Sequence, residues 1–312
     1  MRSFVIGGAG FVGSHLVDLL VARGPVTVYD NLSVGRREFI PEHLSSGRAT
    51  LVEKDALDLN ALTAAMAGHD VVFHLAANPE ARRALENPRL DLEQGTIVTW
   101  NALEAARQNG VQQFVFASSG VVYGDTPEPC AEGDLGRLPF SLYGASKLAG
   151  ESMLASYVEC FGLKGRIARF GNVVGGRSTH GAILDFCNRL KSKPDVLEVL
   201  GDGRQSKPYV HVTDCAAGLL HIFDNATDDL AIFNLSPPDW TNVRRIAELC
   251  VASSPNPGAR IEYGTTQQGW RGDVPTSRLD ASKLRALGFH LRYTSDEAVA
   301  RAVEAVARQV FG

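Results

Sequence analysis

Residues 7–13 read GGAGFVG, with a glycine at every third position from 7 to 13. An apolar run, Ser3 to Gly7, precedes this stretch, and a run with helical periodicity follows it and ends near Gly24. A second apolar run, VTVYD, occupies 26–30. This order of strand, glycine turn, helix and strand is typical of a dinucleotide-binding unit, because glycines let the backbone approach a pyrophosphate and the helix N-terminus offers it N–H groups.

Asp30 ends the second predicted strand of this unit. A carboxylate at this place can accept hydrogen bonds from an adenosine ribose and repels a 2′-phosphate, so we expect NAD rather than NADP as the cofactor. Arg36 and Arg37 follow in the next loop and could instead accept a 2′-phosphate. Solvated loop arginines are the simpler interpretation of these two residues.

Alternating strand and helix patterns continue to about residue 170. We predict strands at 49–53, 71–75, 111–118 and 164–170, and helices at 59–66, 90–109 and 143–161. This alternation predicts an α/β fold with a Rossmann-like, doubly wound parallel sheet. Ligands of such sheets bind beyond the carboxyl ends of the strands, where Asp55, Ala76, Ala77 and Ser119 fall. His74 lies within a predicted strand, which favours a packed core histidine.

The pattern loosens after Phe170. We predict that residues 1–171 form a NAD-binding domain and that residues 172–312 form mainly a smaller α/β lobe for the substrate. We expect a helix at about 212–224 to return to the first domain.

Tyr143 and Lys147 stand four residues apart in the sequence YGASK, on one face of a predicted helix. An ammonium group near a phenol favours the phenolate, so we expect Lys147 to lower the tyrosine pKa from its usual value of about 10. A tyrosine of this kind can act as a general acid or base near neutral pH. The spacing also occurs on ordinary amphipathic helices, so its significance depends on the rest of the chain.

Composition limits the possible partners and compartments. The chain has 312 residues and a formal net charge of -4, which gives no reason to expect nucleic acid or an anionic membrane as a partner. It has no apolar run near the roughly 20 residues that span a bilayer and no signal peptide pattern, so we expect a cytoplasmic protein. Its five cysteines include no CxxC spacing, which argues against a zinc site or a redox dithiol.

Seven motifs, in this order, resemble those of the extended short-chain dehydrogenase/reductase family. They are GGAGFVG at 7–13, DNLSVG at 30–35, Asp55, HLAA at 74–77, ASSGVVYGD at 117–125, YGASK at 143–147 and RFGNVVG at 169–175. The DNLS and SSGVVYG segments look most like those of UDP-glucose 4-epimerases and their UDP-sugar relatives.

The resemblance implies an NAD-dependent enzyme and assigns three groups of residues. The positions that match the catalytic triad are Ser119, Tyr143 and Lys147. The positions that match cofactor contacts are Gly7, Gly10, Phe11, Val12, Asp30, Asn31, Ser33, Gly35, Asp55, Ala56, Leu75, Ala76, Ala77, Tyr143 and Lys147. The positions that match contacts to a nucleotide sugar are Ser119, Tyr143, Asn172, Lys207, Arg271 and Asp273.

The sequence departs from the family pattern at three positions. Gly95 stands where the long helix usually begins with an asparagine, and we expect this to alter the water network behind Tyr143 and Lys147. Trp270 occupies the place of an arginine in many epimerases, with Arg271 one position along. Lys207 replaces an arginine, so a point charge stands in for a planar bidentate donor.

The resemblance implies epimerisation at C4 of a UDP-hexose of the UDP-glucose/UDP-galactose type through a transient 4-keto sugar. A dehydratase or decarboxylase of this fold needs a further acid or base; an Asp-Glu pair follows the Ser/Thr position in dehydratases, and a Glu stands nearby in decarboxylases. Gly120 and Val121 occupy these positions and cannot move protons, which favours epimerisation. A non-catalytic NAD-binding sensor is a further alternative, and the intact triad argues against it.

The sequence leaves the sugar open among glucose, glucuronate and N-acetylhexosamine types. Arg177 and the polar run 178–180 could face C6, where a carboxylate would suit the arginine, or could form only a polar loop. The resemblance also implies a homodimer, in which the helix at 90–109 and the Tyr143 helix pair as a four-helix bundle. The residues expected to supply apolar surface are Ala102, Leu103, Ala106, Met153 and Tyr157.

Overall fold

The structure, a computed structural model, describes residues 1–134 and 138–312. The chain forms two compact units. Unit 1 comprises Met1–Ser119, Leu142–Arg169 and Ala216–Phe233, and unit 2 comprises Gly120–Ser141, Phe170–Cys215 and Asn234–Gly312.

The strands of the described residues follow in chain order. They are β1 Ser3–Ile6, β2 Val26–Asp30, β3 Ala49–Glu53, β4 Val71–His74, β5 Gln113–Ser119, β6 Lys164–Phe170, β7 Asn172–Val174, β8 Val196–Val199, β9 Ser206–Lys207, β10 Tyr209–His211, β11 Leu230–Leu235, β12 Thr241–Asn242 and β13 Arg260–Tyr263.

The helices are given in the same way. They are α1 Phe11–Leu20, α2 Pro41–Ser45, α3 Leu59–Met66, α4 Arg89–Asp91, α5 Val98–Gln108, α6 Leu142–Phe161, α7 Ala182–Ser192, α8 Val212–Asn225, α9 Val243–Ala252, α10 Ser282–Ala286 and α11 Ser295–Phe311. A π-helical segment, Leu92–Ile97, joins α4 to α5. Short 3-10 segments lie at Arg37–Phe39, Ala81–Leu85 and Gly120–Tyr123.

A seven-stranded sheet in the order β11-β6-β5-β4-β1-β2-β3 forms the centre of the fold. Parallel ladders join β1 to β2 and β4, β2 to β3, and β4 to β5. All four residues of β1 and of β4 are buried, as expected for parallel strands that helices cover on both faces. The strand order reverses between β1 and β4, which places the switch point beside the glycine loop. The predicted Rossmann-like fold is confirmed.

Unit 2 has its own hydrophobic core. Its two-stranded sheets pair β10 with β7, β12 with β9, and β13 with β8. Buried side chains of α7, α9 and α11 pack together, among them Leu190, Ile246 and Val299. Thr294 and Glu297 form a capping box that begins α11.

Several expectations hold and others need correction. The predicted ranges of β2, β3, α3 and β6 agree with the structure, and His74 is fully buried, as expected. The predicted long helix at 90–109 is confirmed as one helical run from Arg89 to Gln108, within which Leu92–Ile97 is π-helical. The expectation that Ala102, Leu103 and Ala106 supply dimer surface is wrong, because all three are buried in the core of unit 1.

Among the described residues, no helix combines the length and apolar character needed to cross a bilayer. The cytoplasmic location stays a prediction.

Candidate active site

The glycine loop brings the start of α1 against the end of β4. Gly7 has a φ of 79°, and a Cβ at this residue would lie 2.7 Å from the backbone nitrogen of Ala76. A Cβ at Gly13 would collide with the carbonyl oxygen of Gly7. Gly10 begins α1 without a side-chain cap. The loop therefore forms a backbone cradle at a helix N-terminus, and this cradle fits a pyrophosphate.

Asp30 is tied directly to this loop. Its two carboxylate oxygens accept N–H groups from Ala9, at 3.0 Å, and from Leu32, at 2.9 Å. Burial raises the pKa of Asp30, and these two hydrogen bonds oppose the rise. A Cβ at Gly35 would lie 2.8 Å from the carboxylate, so only glycine packs here without displacement. Asp30 therefore lies at the edge of the cradle, where the sequence predicts a ribose contact.

The two arginines after β2 differ in their contacts. Arg37 forms an exposed 2.6 Å ion pair with Glu53 of β3. The side chain of Arg36 is exposed, and its guanidinium carbon lies 5.9 Å from the ring centre of Phe39. These contacts agree with the interpretation of both residues as surface loop arginines.

Asn31 and Asp55 join the ends of β2 and β3. The Asn31 amide donates to Asp55 Oδ2 at 2.9 Å, and its own oxygen accepts the N–H of Ser33 at 3.0 Å. Asp55 Oδ1 accepts the N–H of Leu57 at 2.9 Å. The predicted cofactor contacts after both strands thus form one hydrogen-bonded group.

The end of β4 lies beside β1. The N–H groups of Leu75 and Ala76 both donate to the carbonyl of Ile6, at 2.9 and 3.1 Å. Ala77 follows them, and Ala56 is buried after β3. Phe11 and Val12 are the first two residues of α1. The structure therefore places the predicted cofactor residues of the first 77 positions after the carboxyl ends of β1 to β4 and at the start of α1, within unit 1.

Tyr143 and Lys147 lie in the first two turns of α6. The ammonium nitrogen of Lys147 donates to the carbonyl of Ala117 at 2.7 Å, and it lies 4.8 Å from the ring centre of Phe116 and 5.8 Å from that of Tyr143. Ser119 ends β5, two residues beyond Ala117. The three triad candidates therefore belong to one unit and to two neighbouring segments.

The ionisation of this pair differs from the expectation. Burial raises the pKa of Tyr143, and the charge of Asp91 adds to the rise. Burial lowers the pKa of Lys147 to about 8, against the opposing charges of Glu151 and Asp91. The expected fall in the tyrosine pKa is therefore wrong for the protein alone. The pKa of Tyr143 rises because desolvation of its phenol outweighs the effect of the nearby Lys147 charge. The ammonium group of Lys147 is hydrogen-bonded to the carbonyl of Ala117.

A buried ionic network fixes the helix that carries the pair. Arg169 is 0% exposed and donates to Glu151 from Nη2 at 2.6 Å and from Nε at 2.9 Å. Ser118 of β5 donates to the same carboxylate. Glu151 lies one turn after Lys147, so the network joins α6, β5 and β6 beside the lysine. Sequence reasoning missed it, although a glutamate four residues after Lys147, on the same face of the predicted helix, was an available signal.

The π-helical segment explains the departure at Gly95. A Cβ at this residue would collide with Ser146 Oγ, which donates to the carbonyl of Tyr143 at 2.8 Å. The carbonyl of Gly95 accepts a hydrogen bond from Thr99. Ser146, immediately before Lys147, thus fills the space that any side chain at position 95 would need.

Unit 2 contains the remaining candidates. Lys207 and Asp273 form a partly buried ion pair of 2.7 Å, and Asp273 also accepts the N–H of Gly269 at 3.3 Å. Asn172 begins β7 with an exposed side chain, and the side chain of Arg271 is exposed too. The structure thus brings Lys207 and Asp273 into direct contact.

Comparison with known proteins places the chain in a family. The profile of the NAD dependent epimerase/dehydratase family matches residues 3–236. The chain is 31% identical over 312 residues to a UDP-glucose 4-epimerase of Mycolicibacterium smegmatis, which covers 97% of this chain and 98% of that protein. It is 30% identical over 305 residues to a UDP-N-acetyl-alpha-D-glucosaminuronate decarboxylase of Bacillus cytotoxicus, which covers 93% of this chain and 92% of that one.

The structure also resembles a crystal structure of a UDP-galactose 4-epimerase. The two share a TM-score of 0.86 and 39% sequence identity, over 99% of this chain and 100% of the other. The chain belongs to the NAD-dependent epimerase/dehydratase family. The prediction of NAD as the cofactor is confirmed at the level of this family. The relatives differ in the reaction they catalyse, since one is named as an epimerase and another as a decarboxylase.

Proposed function

We propose that the protein is an NAD-dependent epimerase that inverts C4 of a UDP-hexose. The observation that supports epimerisation over elimination is the pair Gly120 and Val121, which follows Ser119. Neither residue can transfer a proton. A Cβ at Gly120 would lie 2.8 Å from the Leu279 side chain, so a carboxylate at this position would have to displace Leu279.

The proposed chemistry assigns one task to each triad residue. Tyr143 removes the proton of the C4 hydroxyl and later returns it, and Ser119 hydrogen-bonds the same oxygen. Lys147 contributes the positive charge beside the tyrosine. When bound, NAD would supply the acceptor and donor of the C4 hydride and a positive charge that favours the phenolate. The glycine cradle, Asp30 and the Asn31–Asp55 pair are the residues that would hold the cofactor.

We further propose that Asn172, Lys207 and Arg271 bind the diphosphate of the nucleotide sugar. The ion pair between Lys207 and Asp273 supports this role for Lys207, because the carboxylate holds the lysine ammonium group in one position. On this proposal residues 1–171 bind the cofactor and residues 172–312 mainly bind the nucleotide sugar. The sugar stays open among the glucose, glucuronate and N-acetylhexosamine types.

One observation favours a second candidate, a nucleotide-sugar decarboxylase or dehydratase. The relative from Bacillus cytotoxicus is a decarboxylase, and it matches the chain over nearly its whole length. Such a reaction would need an acid or base from a residue other than Gly120 and Val121. A non-catalytic NAD-binding sensor is disfavoured by the intact Ser119, Tyr143 and Lys147 set.

Incubation with a panel of UDP-sugars tests the proposal. The products are separated by chromatography and identified by NMR and mass. An epimerase yields the C4 epimer with unchanged mass and consumes no added NAD. Loss of one water or one carbon dioxide would instead establish the second candidate.

A further inference from the structure

Asp91 is a buried carboxylate that the proposed mechanism does not use. It ends α4, directly before the π-helical segment, and is 1% exposed. Its Oδ1 accepts the side-chain amide of Asn78 at 2.9 Å. Its Oδ2 is buried without a hydrogen-bond partner among the described residues. A carboxylate in this state is costly unless a nearby charge stabilises it.

The positive charge nearby belongs to Lys147. The ammonium group of Lys147 lowers the pKa of Asp91, against the rise that burial causes. In return, Asp91 raises the pKa values of both Lys147 and Tyr143. In the described residues the ammonium group of Lys147 is hydrogen-bonded to the carbonyl of Ala117 and the carboxylate of Asp91 to the amide of Asn78, so each of the two charges has a different direct partner.

The other titratable groups around Asp91 have partners of their own or carry no charge. Glu151 of α6 is paired with Arg169. His74 of β4 stays neutral, because burial and Lys147 lower its pKa to about 3. On the helical segment of Asp91 itself, Arg89 and Glu93 pair with each other.

Both arginines of the 3-10 segment Ala81–Leu85, Arg82 and Arg83, have exposed side chains. Within the described residues, Asp91 is therefore the carboxylate near Lys147 and Tyr143 without a cationic partner in direct contact.

We propose that Asp91 is a positioning residue that acts through Lys147 and Tyr143 as a buried counter-charge and sets the pH range in which this pair works. This inference rests on the proposed acid–base role of Tyr143. Its chemistry is electrostatic: a fixed negative charge stabilises the lysine ammonium and opposes the tyrosine phenolate. The π-helical segment and Gly95 let this part of the chain approach α6 closely enough for the charge to act.

The variant Asp91→Asn tests this inference, since asparagine has the same shape and can still accept the Asn78 amide. Removing a negative charge lowers the pKa of each group near it. We therefore expect both limbs of the pH–rate profile to move to lower pH by about one unit, the size typical of a nearby charge. Glu93→Gln removes a carboxylate two residues away on the surface and is the matched control, with both limbs unchanged.

A second readout does not depend on activity. The titration of Lys147 in the full chain is followed by NMR of isotope-labelled lysine side chains and assigned with Lys147→Met. We expect a midpoint near 8 in the unaltered protein and a lower one in Asp91→Asn. The second neutral variant, Asp91→Ser, repeats the test if the asparagine variant does not fold.

The outcomes separate this inference from the proposed function. An unchanged Lys147 midpoint in a folded Asp91 variant would overturn the inference and leave only a structural role for the carboxylate. A lowered midpoint together with no turnover of any UDP-sugar would support the counter-charge and refute the proposed reaction.

Discussion

The ammonium nitrogen of Lys147 donates a 2.7 Å hydrogen bond to the carbonyl of Ala117, two residues before β5 ends at Ser119. This bond connects the strand and the helix that carry the three triad candidates. It directs the lysine charge toward the strand, while the ring centre of Tyr143 lies 5.8 Å from the nitrogen. The fold itself therefore positions the Lys147 ammonium group beside β5 and near the Tyr143 ring.

The first prediction concerns Tyr143. Tyr143→Phe should keep NAD and UDP binding and lose at least about a hundredfold in kcat, the usual contribution of a positioned acid or base. Steady-state turnover of the active UDP-hexose measures the loss. Tyr157→Phe, a change on the same helix where the hydroxyl binds Glu104, is the control and should retain kcat. Near-normal turnover in Tyr143→Phe would remove this residue from the mechanism.

The second prediction concerns the choice of cofactor. Protein purified without added cofactor should release NAD(H) on denaturation, because Asp30 offers its carboxylate to the ribose and repels a 2′-phosphate. The ion pair between Arg37 and Glu53 makes this arginine less available to a phosphate. Chromatography of the extract identifies the nucleotide. Recovery of NADP(H) alone, or tighter binding of NADP in titrations, would show that Arg36 or Arg37 decides the specificity.

The third prediction concerns the network under α6. Glu151→Gln should lower the free energy of unfolding by about 3–5 kcal/mol, because it leaves the guanidinium of Arg169 buried without its carboxylate. Urea denaturation followed by circular dichroism measures the change. Glu53→Gln breaks an ion pair whose two side chains are exposed and should give no resolvable change. Equal stability of the two variants would contradict the structural role of Glu151.

The fourth prediction concerns assembly. We expect a homodimer at micromolar concentration. The helical run 89–108 exposes the apolar side chains of Leu92, Ile97 and Trp100, and the end of α6 exposes Phe161. Light scattering should give twice the chain mass, and Trp100→Glu should lower it. Trp240→Glu is the control, since Trp240 is exposed to a similar extent, 51% against 43%, in unit 2. A monomer in the unaltered protein would contradict the dimer.

Hydrophobic periodicity predicted the elements of the central sheet well. The apolar runs of β2 and β6 coincide with their strands because these strands are largely buried and the local pattern then reflects burial. The glycine loop was equally predictable, since the close approach to Ala76 requires a residue without a Cβ at Gly7.

Features that depend on contacts distant in sequence were not predictable in this way. The π-helical segment at Leu92–Ile97 arises where Gly95 meets Ser146, and neither residue signals the other locally. The raised pKa of Tyr143 depends on burial and on Asp91. The YGASK motif shows neither influence, because Lys147 is the one charged residue in it. The two-residue strands β9 and β12 are too short to show a period.

The central claim is hydride return to C4, and a deuterium label at C4 of the UDP-hexose tests it most directly. The product is examined by NMR and mass spectrometry after turnover by the full chain. The account predicts a C4 epimer of unchanged mass with the deuterium still at C4, because the hydride never leaves the site. A product lighter by one water or one carbon dioxide, or a label moved to C6, would contradict it.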